Sequence, residues 1–255
     1  MNAPISATKI TKYLPDKYKF LPVTTFETID STNRAAKEMV SSGSPPPFIV
    51  VADSQSAGRG RLGRTFFSPA STGIYMSLAS GSFPELGSAV FITSAAAVAV
   101  TDAIISLTGK SPGIKWVNDI YLGDKKICGI LAESQKNENG FSVITGIGIN
   151  MTTTRFPSEI SGVAGSLLSD ISREKMIAEI TTNLLDILEN PSDKSFFEKY
   201  KSRSIVIGKE IDYYIGSEKK TAFAIDIDDS GGLVVRDETG GVLTLSSGEI
   251  TVRLK

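Results

Sequence analysis

A chain of 255 residues, 41% hydrophobic and 22% charged, is long enough for one large domain, or one medium and one small, around a real core. Its formal net charge of −1 excludes a general polyanion binder, and its single cysteine excludes an intrachain disulfide or a cysteine zinc cluster. It has no histidine, so Ser-His-Asp and Cys-His catalysis, His-ligated metals and the usual neutral-pH general base are excluded as well.

Residues 1–22 carry several Lys, Ser and Thr without the apolar stretch of a secretion signal, and they read as a partly ordered N-terminal arm. Phe26–Ile29 alternates as a short strand. Asp30-Ser31-Thr32-Asn33 offers N-caps for a helix over Arg34–Val40, which Gly43 stops. Such a corner is a well-capped helix start, and its N–H groups and hydroxyls can also hold an acceptor oxygen of a ligand. Pro45–Pro47 marks a loop and Phe48–Asp53 a buried strand. The next loop, Gln55–Pro69, contains Gly58-Arg59-Gly60-Arg61-Leu62-Gly63-Arg64. Its glycines let backbone lie close against a ligand and its arginines line up fork-shaped cations, so the segment suits closure over an anion. It does not fit the phosphate-cradling pattern G-x-x-x-x-G-K-[ST].

Gly73–Ser80 alternates as a strand, and Ser88–Leu107 is an Ala-rich helix, ended by Gly109, that should pack on the sheet. Thr93, Ser94, Thr101, Asp102 and Ser106 interrupt its apolar run, so no segment reads as a membrane span. Three strands follow, Gly113–Leu122, Lys126–Gln135 and Phe141–Asn150, and turns this short make them antiparallel. Alternation places Lys115, Val117 and Asp119 on one face of the first, and Trp116 and Asn118 on the other. A lysine in an apolar strand needs an anion: either an aspartate of its own hairpin, or a ligand carboxylate or phosphate beside an Asn-Asp pair suited to ribose or hydrated Mg²⁺. Cys128 reads as a small apolar core residue and Trp116 as core. Ser172–Glu189 is an amphipathic helix and Asp193–Lys201 a shorter one. From Ser204 to Lys255, short strands split at 216–217, 229–232, 239–241 and 246–248 read as a small β-barrel, giving an α+β fold overall.

Ser31-Thr32-Asn33, Gln55 with Gly58–Arg64, Lys115–Asp119, Lys126–Glu133, Gly146–Asn150 and Gly248-Glu249-Ile250 stand in an order and spacing that resemble the biotin protein ligase family, from Phe26 to the C-terminus. That family's loop reads G-R-G-R-x-G-R and its strand K-W-P-N-D. Val117 replaces the proline, a change a strand tolerates, and Phe66 replaces a frequent tryptophan while keeping an aromatic face for adenine.

The resemblance implies a class II aminoacyl-tRNA synthetase-like catalytic domain over 23–203, with a mixed/antiparallel sheet and packed helices, and an SH3-like barrel over 204–255. It implies a cytoplasmic enzyme that makes biotinyl-5′-adenylate from biotin and MgATP. Biotin then passes to one lysine of a biotin carboxyl carrier protein or domain of a biotin-dependent carboxylase. A carboxylate is already nucleophilic and pyrophosphate already a good leaving group, so histidine is not needed. Carried over by motif, biotin falls to Ser31, Thr32, Asn33, Gln55, Arg59, Gly60, Arg61 and Lys115, and ATP to Arg64, Phe66, Asn118, Asp119 and Lys126. Lys115 and Arg61 take the catalytic roles, and Mg²⁺ arrives with the nucleotide, with no metal site on the protein.

Some members of the family carry a DNA-binding winged helix. The roughly 25 residues ahead of the first core strand are too few for one, so the expectation is a monofunctional ligase, monomer or homodimer, without nucleic-acid or membrane partner. Two other readings use the same residues: lipoate or octanoyl transfer on this kind of fold, and an RNA-binding module that uses the arginine loop beside the barrel.

Overall fold

The computed structural model describes residues 4–83, 88–137, 140–190, 193, 195–215, 217–246 and 251–254. In chain order the elements are α1 (Ala7–Tyr13), β1 (Val23–Ile29), α2 (Thr32–Ser41), β2 (Phe48–Gln55), β3 (Gly73–Phe83) and α3 (Ser88–Thr108). There follow β4 (Gly113–Lys115), β5 (Asp119–Leu122), β6 (Lys125–Asn137), β7 (Gly140–Asn150), α4 (Ser158–Ser161), α5 (Arg173–Glu189) and α6 (Ser195–Ser202). The C-terminal part holds β8 (Glu210–Ile215), β9 (Glu218–Ile227), β10 (Leu233–Asp237), β11 (Val242–Leu245) and β12 (Thr251–Leu254). Residues Glu138 and Asn139 of one expected turn, and the segment Gly248-Glu249-Ile250, lie outside the described residues.

The larger sheet has the order β1-β2-β3-β7-β6-β5-β4. β1 and β2 run parallel, joined by α2, and the other neighbours are antiparallel, so the sheet is mixed and the fold α+β. Side-chain alternation divides each central strand between two layers. Phe48 and Val50 pack with Ala35, Ala36 and Val40 of α2. Ile49, Val51, Ile74, Met76, Ile147 and Ile149 face the opposite way, into the main core with α3 and α5. α3 is apolar over most of its surface because it is largely enclosed, with Ile105 and Ser106 exposed near its end. Its Phe91–Thr108 window, with mean hydropathy 1.7, is long and apolar enough to cross a membrane, yet 67% of it is buried within the protein.

Two expectations need correction. The N-terminal arm, from residue 4 on, is packed structure: Ile5, Ile10, Leu14, Tyr18 and Leu21 are buried, and the Tyr18 hydroxyl donates to Asp186 of α5 at 2.7 Å. Ile10 docks the helix, and Leu14 at its extended C-cap and Tyr18 in the following 3-10 turn bury beside it. Gly113–Leu122 is not one strand. The chain reverses through Trp116–Asn118, and β4 and β5 pair with each other, Lys115 opposite Asp119. Lys115 and Asp119 therefore project from one face as partners across a hairpin and not as neighbours along one strand, and Val117 occupies the turn between them. Long-range bonds hold the reversal: Trp116 Nε1–H donates to the Gly231 carbonyl at 2.9 Å, and the Tyr200 hydroxyl to the Val117 carbonyl at 2.9 Å.

The C-terminal strands form an antiparallel sheet in the order β11-β10-β9-β8-β12, a small β domain whose Ile211, Ala224, Ile227 and Val235 run into the main core.

Candidate active site

The face of the sheet that carries α2 also forms the floor of a cleft of about 740 Å³. On β7 the alternation that sends Ile147 and Ile149 into the core leaves Gly146 and Gly148 facing the cleft. Both glycines are required by close approach. A Cβ on Gly146 would collide with the Asn33 amide, and one on Gly148 would lie 2.5 Å from the Phe66 ring.

At one end of the cleft stands the start of α2, with Ser31 as N-cap in an extended conformation and Ser31, Thr32 and Asn33 all buried. The Thr32 N–H donates to Gln55 Oε1 at 2.9 Å, and the Thr32 hydroxyl lies 3.2 Å from the same oxygen. Gln55 Nε2 donates to the Ser68 hydroxyl at 3.0 Å, which donates to the Phe66 carbonyl at 2.9 Å. Beneath them the Ser77 hydroxyl donates to Asn33 Oδ1 at 2.6 Å and lies 2.8 Å from Thr32 Oγ1. Asn33 Nδ2 donates to Glu133 Oε2 at 2.9 Å and lies 3.2 Å from the Leu131 carbonyl. This network fixes the direction of each amide, as recognition of a polar ring requires.

The Gly/Arg loop closes one side. Arg59 and Thr65 form an antiparallel bridge and Gly60 N–H donates to the Arg64 carbonyl at 2.7 Å, so the loop is a miniature hairpin. Its tip is left-handed at Leu62 (φ 55°) and Gly63 (φ 72°). Arg59 reaches Glu133 at 3.3 Å, and Glu133 also pairs with Lys37 at 2.9 Å. Burial pushes the Glu133 carboxyl up, but the Asn33 hydrogen bond and the cations Lys37 and Arg59 outweigh it and hold the group below its ordinary value. Arg61 donates to Asn118 Oδ1 at 3.3 Å, and burial lowers its pKa against the pull of Asp119. The far end of the loop is tied by a buried ion pair, Arg173 to Asp53 at 2.6 Å, with Asp53 accepting from the Ser71 N–H at 3.1 Å.

Opposite the loop, Asn118 Nδ2 donates to the Ile130 carbonyl at 2.8 Å, which pins the turn to β6. Asp119 and Lys126 pair at 2.7 Å. The Lys115 ammonium lies 5.7 Å from the Tyr121 ring centroid. Phe66 meets Tyr75 edge-on at 6.4 Å.

All the residues singled out from the sequence, Ser31, Thr32, Asn33, Gln55, Arg59, Gly60, Arg61, Arg64, Phe66, Lys115, Asn118, Asp119 and Lys126, line this one cleft. Cys128 is fully buried away from it, with its thiol pKa pushed up by burial, and Trp116 is buried as expected. Sequence reasoning missed Ser68, Ser77 and the wall formed by Phe67 and Phe156, which meet edge-on at 6.3 Å. The Asn150 amide nitrogen donates to the Gly165 carbonyl at 2.9 Å, and its oxygen is buried with no protein partner. A serine facing the polar side of an apolar strand, as Ser77 does in β3, was the available signal.

Five cations, Arg59, Arg61, Arg64, Lys115 and Lys126, line the cleft against two carboxylates, Asp119 and Glu159. The surplus suits the meeting of two anions. Among the described residues, no group of three His, Cys, Asp or Glu side chains could cage a metal.

Residues 25–150 match the Biotin/lipoate A/B protein ligase family. The biotin--[acetyl-CoA-carboxylase] ligase of Mycobacterium tuberculosis is 30% identical over 213 residues, which cover 79% of this chain and 77% of that protein. The bifunctional ligase/repressor BirA of Bacillus subtilis is 40% identical over 153 residues, 59% of this chain and 47% of that one, so the match spans about half the length of the Bacillus relative. Among solved structures, the biotin protein ligase from Aquifex aeolicus in complex with biotin and ATP superposes with a TM-score of 0.80 at 28% identity, covering 92% of this chain and 100% of that one.

Proposed function

The chain belongs to the biotin protein ligase family, and from that premise we propose that it activates biotin with ATP as biotinyl-5′-adenylate and transfers the biotinyl group to a lysine of a biotin carboxyl carrier domain. The observation that carries this reading is one cleft with a rigid amide-and-hydroxyl network at one end and five cations along the rest. Ser31, Thr32 and Gln55 would hold the ureido head. The carboxylate would then lie between the arginine loop and Lys115, and the nucleotide toward Asn118, Asp119, Lys126, Arg64 and Phe66.

In the first step a carboxylate oxygen attacks the α-phosphorus and the bond to the bridging oxygen of pyrophosphate breaks. No proton moves, which is why a chain without histidine can run it. The obstacle is repulsion between two anions, and preorganised cations lower it without reorganising at the moment of reaction. The donor set fits a Mg²⁺ that enters on the triphosphate, where it would neutralise phosphate charge, because the cleft offers Asp119 beside Asn118 and not a protein cage. In the second step the neutral acceptor amine attacks the acyl carbon, the bond to the AMP phosphate oxygen breaks, and the proton lost from nitrogen passes to the departing phosphate or to solvent. Until then the loop excludes water from the mixed anhydride. A cytoplasmic setting, in which the buried thiol of Cys128 stays reduced, belongs to the same reading.

ATP–pyrophosphate exchange by the purified chain tests this. Exchange that depends on biotin is expected. Exchange driven instead by lipoate or octanoate, or absent with every acid, overturns it.

A further inference from the structure

Each residue flanking Lys115 is hydrogen-bonded to chain at or beyond residue 200. Ile114 donates its N–H to the Arg203 carbonyl at 2.8 Å and accepts from the Ile205 N–H at 2.9 Å. On the other side are the bonds from Trp116 Nε1 to Gly231 and from Tyr200 to Val117, both 2.9 Å and both buried. The segment lies flat on that part of the chain, since a Cβ on Gly113 would collide with an Ile205 methyl group.

The Gly231 carbonyl is itself held in place. Asp228 Oδ1 accepts from the N–H groups of Ser230 (2.9 Å) and Gly232 (2.8 Å), and the Gly231 N–H donates to the Asp228 carbonyl at 2.9 Å. Gly231 takes φ +82°, a conformation that presents its carbonyl to the indole and favours glycine. The route is continuous: Asp228 shapes the turn, the turn receives Trp116, and Trp116 begins the reversal that carries Lys115 on one side and Asn118 on the other. If the turn moves, a buried indole N–H loses its acceptor, so the reversal must follow.

We infer that the C-terminal β domain is a working part of the adenylation site: through the Asp228–Gly232 turn and Trp116 it aims Lys115 and Asn118 at the reacting groups. Trp116 and Asp228 are positioning residues for the first half-reaction. The inference rests on the reading of the cleft given above, and adds that the small domain serves this chain's own chemistry before any acceptor arrives.

The test compares Trp116→Phe, Asp228→Ala and the double variant in the full chain by biotin-dependent pyrophosphate exchange. Trp116→Phe keeps the aromatic bulk and deletes the N–H. It should lower kcat about tenfold while KM for biotin and ATP stays within about twofold, the split expected when geometry and not ground-state binding is lost. Asp228→Ala should lower kcat in the same sense, and the double variant should be no slower than the slower single, since both cut one link. Trp116 is the only tryptophan, so its emission in Asp228→Ala reads the broken bond directly, even where Trp116→Phe fails to fold. An emission shift with a fall in kcat is expected. Unchanged kcat in either folded variant, unchanged emission in Asp228→Ala, or losses that multiply in the double variant overturn the inference. A parent chain without biotin-dependent exchange overturns the adenylation reading itself, which is distinguishable because no variant is involved.

Discussion

Arg61 donates across the cleft to the side-chain oxygen of Asn118 at 3.3 Å, joining the Gly/Arg loop to the reversal between β4 and β5. The pair of Arg59 with Glu133, nearer the base of the loop, also ties it over the cleft. Just beyond Arg61, the tip residue Leu62 is exposed.

Arg61→Gly removes the tip anchor together with a cation. The adenylate should still form, because Lys115, Lys126 and the other arginines remain, but it should escape roughly tenfold faster and label bystander amines. Counting biotin on an unrelated protein against biotin on the carrier lysine measures this. Unchanged retention of the adenylate removes the lid role from the loop.

Lys115→Ala should depress pyrophosphate exchange by two to three orders of magnitude, roughly the effect of deleting one preorganised charge at a developing anion. Lys126→Ala should lose at least as much, since Asp119, now unpaired, would face the phosphates at the place where Lys126 stood 2.7 Å away. Adding Asp119→Asn to Lys126→Ala should then recover part of the loss. Failure of that rescue would place the work of Lys126 elsewhere than in screening Asp119.

Much of this cleft is legible in the sequence because its parts are local. The glycine and arginine spacing of the loop, the apolar run Phe48–Asp53 and the capping run Asp30–Asn33 each carry their own physical reason within a few residues. What was not legible depends on distant chain. Lys115–Asp119 reads as a continuing strand, and it becomes a reversal only because Tyr200 and Gly231 bond Val117 and Trp116. Helix α1 is short and polar on its own, and it exists by docking Ile10 and Leu14 on a core built later in the chain. Ser77 gained its place when register set it beneath Thr32 and Asn33.

The Glu133 carboxylate makes stability depend on pH. Its folded pKa lies below the ordinary 4.5, so its stabilisation is fully present above the unfolded value and is lost as pH falls through the folded one. Glu133→Gln should therefore lower the unfolding temperature most near neutral pH, and the gap to the parent should close as pH falls below 4.5 and through the depressed folded value. Thermal unfolding across that range checks it. A gap that is constant with pH would mean that shape, and not the carboxylate, matters at this position.

The glycines of β7 separate the two ends of the cleft. An added methyl on Gly148 comes within 2.5 Å of Phe66, whose ring already lies 3.3 Å from where a Cβ would stand on Gly129 and edge-on to Tyr75, so the ring must swing out over the nucleotide side. An added methyl on Gly146 instead meets the Asn33 amide, which is tied to Ser77 and Glu133, so the disturbance runs into the network around Thr32 and Gln55. Overpacking of this kind costs about 1–3 kcal/mol, enough for a roughly tenfold change in affinity at the site it reaches. Gly148→Ala should thus raise KM for ATP with little change for biotin, and Gly146→Ala the reverse. Steady-state exchange kinetics in both substrates decides it: if the two variants raise the same KM, the division of the cleft into a biotin end and a nucleotide end is wrong, whatever reaction it carries.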